Sequence, residues 1–443
     1  MIATTLLSLA CVAAAPEPGT LLNYRGGVAQ LKEDRTPGEA LKTFDLSLLV
    51  AKSDDTAVQI YWAVEERGRG AWPWIDRFGS LTCDKAWQPG STPGPALLYD
   101  LGEGTSAIPI GLPFLASDQP LAAGNTWTSE PWRYEVLKPA KLESREVWQV
   151  QVSNSYGPKR VVWVEKNSPL AAGVNERVFM GMGLEFELQL RLVGSEQLGD
   201  AKRQAAIAGF EAMIALRSGL NRPARSESLD LNDKQLALLA EQLPAVEKQA
   251  VGEPLEKIVK AARRDLGVQN NQADAVKKLI AQRVGQSLPE FTMQGLSGET
   301  ITQADLKGPV TVLHFWEYRD APLKEPYGQV GYLDFLSQRR KNDNVKVIGV
   351  AVDGRLAEEA GRGQALRGIR KLKSFMNLSY PILLDSGSLI KQFGDPRLVG
   401  AELPLFVVIG RDGKIAHYHV GLYEVDRNQG LKELNEVVSQ AAR

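Results

Sequence analysis

The chain has 443 residues, 44% hydrophobic and 24% charged, which is ordinary for a globular protein and enough for two or three domains. A formal net charge of −1 leaves no electrostatic footprint for nucleic acid and no charge-based hold on a membrane. Two cysteines, Cys11 and Cys83, can supply neither a disulfide framework nor a four-ligand zinc site.

The first residues, MIATTLLSLACVAAAPEPG, combine an apolar stretch with small residues ahead of Pro16. They resemble a secretory signal over residues 1–15, although the basic n-region is missing. Cleavage is expected after Ala14, because Pro16 makes a poor first mature residue. The expectation is an exported protein, periplasmic or in the cell envelope, with Cys83 as its one thiol. No other segment approaches the ~20 apolar residues that span a bilayer.

Residues 16–196 read as a β-rich, antiparallel domain. FDLSLLVA (44–51), TAVQIYWAVEE (56–66), WRYEVLK (132–138), REVWQVQVSN (145–154), KRVVWVEK (159–166) and LEFELQLRLVG (184–194) alternate or are rich in β-branched and aromatic residues. Turn clusters separate them, and no helical pattern intervenes, so a sheet, sandwich or open barrel is expected. Eight of the nine tryptophans fall here. Large aromatics ordinarily fill a β core; the alternative is a face for an apolar or sugar ligand. Trp72 and Trp74 stand apart, flanking Pro73 in a glycine-rich turn where a core role is harder to arrange.

From 197 to 284 the apolar spacing becomes helical, and this stretch reads as a helical connector. Asp230 and Asn232 offer helix-start chemistry, and Gly267 a stop between two further helices. LNRPARSES (220–228) is a polar loop open to proteases.

Residues 285–443 alternate strand and helix, the pattern of an α/β layered sheet. VTVLHFW (310–316) is a buried strand, a helix is expected from Pro322 to about Arg340, VKVIGVAVD and LPLFVVIG are further strands, and RDG (411–413) is a hairpin turn. Taken in order, VGQSLPEFTM, VTVLHFW, the turn DAPL (320–323), VKVIGVAVD and GAELPLFVVIGRDGKI resemble the redoxin branch of the thioredoxin-like superfamily. That branch includes thiol-disulfide oxidoreductases and alkyl hydroperoxide reductases. The resemblance implies a thioredoxin-like fold, with Pro322, Lys324 and Glu325 where the family's helix opens and a cis Leu403–Pro404 bond in its proline loop.

The same resemblance places Asp320 and Leu323 where the family carries its two cysteines. A helix N-terminus lowers the first thiol's pKa, its thiolate attacks a disulfide, and the second cysteine resolves the mixed species. Neither aspartate nor leucine can do this. Asp320 fits a helix cap, and Pro322 a first turn where its missing N–H costs nothing. The expectation is therefore a non-catalytic binding or scaffold protein without cofactor. A protein or peptide partner would lie in a groove floored by Leu403 and Pro404 and rimmed by Tyr318, Arg319 and Asp320. The rival expectations are a thiol oxidoreductase or peroxidase drawing on Cys83, and a hydrolytic enzyme using Asp320. Of three histidines, His417 and His419 share a strand face. In the strand order that the resemblance implies, His314 is separated from them by the LFVVIG strand, so metal binding is not expected.

Overall fold

Alternation of apolar and polar side chains builds most of the N-terminal half into strands. The computed structural model describes residues 16–443 apart from 68–72, 86, 101–104, 116, 118–120, 167, 181–182, 223–228, 253 and 319–328. The chain divides into two compact units, Met1–Gly267 and Val268–Arg443.

In the first unit β1 (Thr20–Leu31), β2 (Pro37–Ser53), β3 (Ala57–Arg67) and β4 (Phe78–Asp84) form one run of hairpins. A second run comprises β7 (Thr126–Ser129), β8 (Trp132–Leu142), β9 (Arg145–Asn154), β10 (Gly157–Glu165), β11 (Ala171–Met180) and β12 (Leu184–Gln197). They join where β1 pairs with β12, giving a ten-stranded antiparallel sheet in the order β4-β3-β2-β1-β12-β11-β10-β9-β8-β7. Between the runs, β5 (Ala96–Asp100) and β6 (Thr105–Pro109) pair as a separate hairpin.

The side-chain period of two puts one face of every long strand into a single core. Val150, Val162, Val174 and Leu190 lie in register across four strands and are all buried. Trp87 stacks on Phe114 at 4.1 Å, joining the β4 end of the sheet to the turn before β11, where Phe114 bridges to Leu170. Trp74 corrects an expectation: it is 1% exposed and stacks on Phe78, because the turn folds it back into the protein. Trp72 lies outside the described residues.

Helices follow. On α1 (Asp200–Gly219), Phe210 stacks on Tyr61 of β3 at 5.2 Å, and Arg217 donates to the Phe78 carbonyl at 2.6 Å. α2 (Asp233–Gln249) opens with a capping box in which Asn232 and Gln235 each bond the other's backbone N–H. The two further helices expected on either side of Gly267 are one helix, α3 (Leu255–Arg283). A helix-stopping glycine works through a left-handed conformation, and Gly267 is not among the positive-φ residues. α3 holds no proline and no second glycine, so nothing else interrupts it and the chain runs through.

The second unit begins with a short hairpin, β13 (Thr292–Gln294) and β14 (Thr300–Thr302), and then alternates. Its elements are β15 (Val310–Trp316), α4 (Val330–Arg339), β16 (Val345–Val352), α5 (Glu359–Phe375), β17 (Ile382–Asp385), α6 (Ser388–Phe393), β18 (Leu405–Ile409), β19 (Ile415–Val420) and α7 (Lys432–Ala441). The sheet order is β17-β16-β15-β18-β19, with β15–β17 mutually parallel and β18 and β19 antiparallel to their neighbours. Two cores result, one on each face. Val310, Val312 and Trp316 of β15 pack with α4, α5 and α7, while Leu313 and Phe315 pack with α6 and with Leu279 and Ile280 of α3. The helix expected from Pro322 to about Arg340 is shorter where it is described: α4 starts at Val330, because Gln329 before it is left-handed, and residues 322–328 lie outside the described residues. No described helix is long and apolar enough to cross a membrane.

Candidate functional site

The parallel strand β15 ends at Trp316, which is buried, and Glu317 and Tyr318 follow, half-buried. Arg319, Asp320, Pro322 and Leu323 lie outside the described residues, and so do Lys324 and Glu325. The next described residue, Gln329, is 1% exposed and left-handed (φ 66°). Gln329 donates from its amide to the Tyr423 carbonyl at 2.7 Å and accepts the Tyr423 N–H at 3.1 Å. The start of α4 is thereby tied to the segment after β19.

Opposite the end of β15 lies the segment 395–404. Leu405 pairs with Phe315, so Pro404 stands one step further along, level with Trp316. The Leu403–Pro404 bond is cis, as the resemblance implies. Pro404 is buried and its carbonyl accepts from Gly421 N–H at 2.8 Å; Leu403 is half-buried. Before it, Asp395 accepts the Arg397 backbone N–H at 3.0 Å and is held by the guanidinium at 2.9 and 2.8 Å. Burial opposes the Asp395 charge, but these hydrogen bonds outweigh it and hold the carboxyl below its ordinary value. The same pairing raises the Arg397 pKa. Arg397 also reaches Glu317 at 3.7 Å, linking the proline-loop segment to the end of β15. Leu398 beside it is 76% exposed. Asp395, Arg397 and Glu317 were not singled out from sequence, though Asp-Pro after Gly394 is turn chemistry that could have flagged them.

The histidines share one face of the sheet. His314 pairs with Phe406 and Phe406 with His419, so the β18 strand does separate them. His314 is fully buried and stacks on Phe406 at 4.5 Å. His419 stacks on Tyr423 at 3.9 Å, and His417 Nε2 meets the Tyr423 hydroxyl at 2.9 Å. Burial pushes both imidazoles below their ordinary value, with Glu433 pulling weakly the other way. Among the described residues no three His, Cys, Asp or Glu side chains are grouped to hold a metal.

Cys83 lies in the other unit, on β4. It is 1% exposed, its thiol faces the Val58 carbonyl at 3.5 Å, and burial pushes its pKa up to about 11.

Comparison with known proteins bears on part of this second unit. Residues 284–418 match the AhpC/TSA family. The C-terminal part of the chain is a thioredoxin-like redoxin domain. A curated relative, the thioredoxin-like protein YneN of Bacillus subtilis, is 25% identical over 145 residues, which is 33% of this chain and 76% of that protein. A thiol:disulfide interchange protein of the thioredoxin family from Chlorobium tepidum is 18% identical, with 36% of this chain and 97% of that one covered and a TM-score of 0.28. The thioredoxin domain of a thiol-disulfide oxidoreductase from Bacteroides vulgatus is 17% identical, with 36% and 98% covered and a TM-score of 0.26. Within the redoxin domain of the present chain, the sequence contains no cysteine.

Proposed function

We infer that this protein is an exported binding or scaffold protein whose redoxin domain works without redox chemistry. One observation carries the reading: the domain's sequence has no cysteine, and the one thiol described elsewhere, Cys83, is buried with its pKa raised to about 11. Thiol-disulfide exchange and peroxide reduction both need an accessible thiolate. At neutral pH Cys83 is protonated and out of reach.

The ligand on this reading is an extended protein or peptide segment lying on Leu403 and Pro404, with Tyr318, Arg319 and Asp320 at the rim. Supporting it, the register sets Pro404 beside the end of β15, and the Arg397–Glu317 pair joins the two segments that would flank the groove. Asp320 takes a capping role in this account and Leu323 an apolar one, and no metal or cofactor is called for. Residues 1–15 serve as the export signal, 16–196 as a separate β-rich domain, and 197–284 as the segment between it and the redoxin domain at 285–443.

The test is enzymatic and cheap. Purified protein should neither reduce insulin with dithiothreitol nor consume peroxide above background, and Leu403→Glu should abolish retention of partners captured from the envelope fraction. Turnover that disappears in Cys83→Ser would overturn the reading in favour of a thiol enzyme.

A further inference from the structure

Strand β16 is paired unequally on its two edges. β15 pairs with it from Val345 to Ala351, but β17 only from Gly349 to Val352. The cause is one residue. Gly349 N–H donates to the Pro381 carbonyl at 3.0 Å. The next rung would need the nitrogen of Pro381 to donate to Val347, and proline has no N–H. β17 therefore cannot extend, and among the described residues no strand pairs with Val345–Ile348 on this edge.

In a parallel ladder, alternate residues aim both backbone groups at the same neighbour. Gly349 faces the β17 side, and Asn344 accepts from Val310 on the β15 side at 3.1 Å. Val345 and Val347 accordingly direct their N–H and C=O toward the bare edge. Beside it lies a cavity of about 600 Å³, walled by Val345, Val347, Ile301 and Tyr380. That volume is in the range of built ligand sites, roughly 300–1,000 Å³. Four strand residues span about 13 Å, at roughly 3.3 Å each.

The rim is basic. Lys341, in the turn after α4, and Lys346 on β16 both line the cavity and are exposed. Lys346 donates to the Asp305 carbonyl at 3.2 Å, and Lys341 has no acidic partner among the described residues. The Asp305 carboxylate is engaged by the N–H and hydroxyl of Thr302 at 2.8 and 2.7 Å. Lysines beside a bare edge also deter pairing between copies of a chain, but that role needs no cavity.

We propose that this slot is a second binding site, which takes an extended acidic peptide as an added strand alongside Val345–Ile348. Main-chain bonds to Val345 and Val347 supply the affinity, and Lys341 selects a carboxylate. The slot lies at the level of Val310–Leu313, whereas Leu403 and Pro404 lie beyond the other end of β15, so it stands independently of the groove proposed above.

The experiment uses the full chain and an immobilised positional-scanning library of acetylated hexapeptides alternating valine and threonine. Retention should concentrate on Asp or Glu at one position. It should weaken at least about tenfold in Lys341→Glu, and equally for peptides N-methylated at alternate residues. Leu403→Glu should leave it unchanged. The retained peptide should shift the Val345 and Val347 amide resonances and slow their hydrogen exchange. No retained peptide, retention indifferent to N-methylation in both registers, or loss of retention in Leu403→Glu would each overturn the proposal.

Discussion

The side chain of Gln329 closes a two-bond ring with the backbone of Tyr423, 94 residues away, donating to its carbonyl and accepting its N–H. Both partners are buried, and Gln329 holds a left-handed backbone to make the contact. A buried peptide group left without its partner costs about 1–3 kcal/mol. Gln329→Ala should therefore destabilise the redoxin domain by about that much, and Gln329→Gly, which suits the backbone but also loses both bonds, should not recover it. Denaturant unfolding of the three proteins decides; full recovery by glycine would mean that the backbone, and not the clamp, sets the stability.

Gly267 lies inside α3 with nothing near its Cα to meet a methyl group. In a continuous helix, Gly267→Ala gains about 0.5–1 kcal/mol. Destabilisation by the same change would show instead that the helix ends there, as its sequence suggests. Thermal unfolding followed by circular dichroism reads this directly.

What the sequence disclosed, and what it did not, follows from the range of the forces involved. Hydrophobic patterning is a local property, so the alternating N-terminal strands and the continuous apolar runs of β15, β16 and β18 were legible, while the separation of His314 from His419 by β18 came from the family's strand order. Gly267 misled because glycine's stop signal is conformational, and a glycine that keeps a helical backbone, with no proline or second glycine in α3, does not end the helix. Trp74 misled because a turn can aim one side chain inward whatever its composition. The Arg397–Glu317 pair and the Gln329–Tyr423 clamp join residues 80 and 94 positions apart, which no local pattern contains. At the candidate site, Tyr318, Leu403 and Pro404 can be placed, while Arg319, Asp320 and Leu323 fall outside the described residues.

The Cys83 thiol should be inert in the native protein. With its pKa raised to about 11 by burial, its thiolate is scarce at pH about 8, and the side chain is enclosed. Modification by a disulfide reagent should run at least about a hundredfold slower than in the unfolded chain. A native rate matching the unfolded one would refute the burial and reopen a redox role.

His417 and His419 give the redoxin domain an acid sensitivity whose sign is fixed. Burial lowers both pKa values in the fold, so as pH falls through about 6.5 the unfolded chain takes up protons first. Their contribution is fully present above that value and is lost progressively down to the depressed folded values, below which the loss levels off. The midpoint of unfolding should drop on acidification from pH about 7.5 to about 5. His419→Phe should flatten part of that slope while keeping a ring to stack on Tyr423. A slope unchanged in the variant would assign the acid sensitivity to other groups.

Restoring the missing chemistry tests the alignment on which the functional reading depends. If Asp320 and Leu323 hold the two cysteine positions of the family, Asp320→Cys with Leu323→Cys places two thiols three residues apart at a helix start. A disulfide needs Cα atoms within about 7 Å, and that spacing across a first turn meets it. The helix terminus, with Arg319 beside it, should lower the first thiol's pKa. The double variant should then oxidise to an intramolecular disulfide under mild conditions, detectable by thiol counting and mass. Insulin reduction should rise above the background of the parent. The single change Asp320→Cys should lose about 1 kcal/mol with the cap and gain a reactive thiol. A folded double variant whose two thiols stay free under oxidant would show that residues 320 and 323 are not the family's redox positions, and the non-catalytic reading would then rest on the domain's lack of cysteine and the buried Cys83, without the alignment.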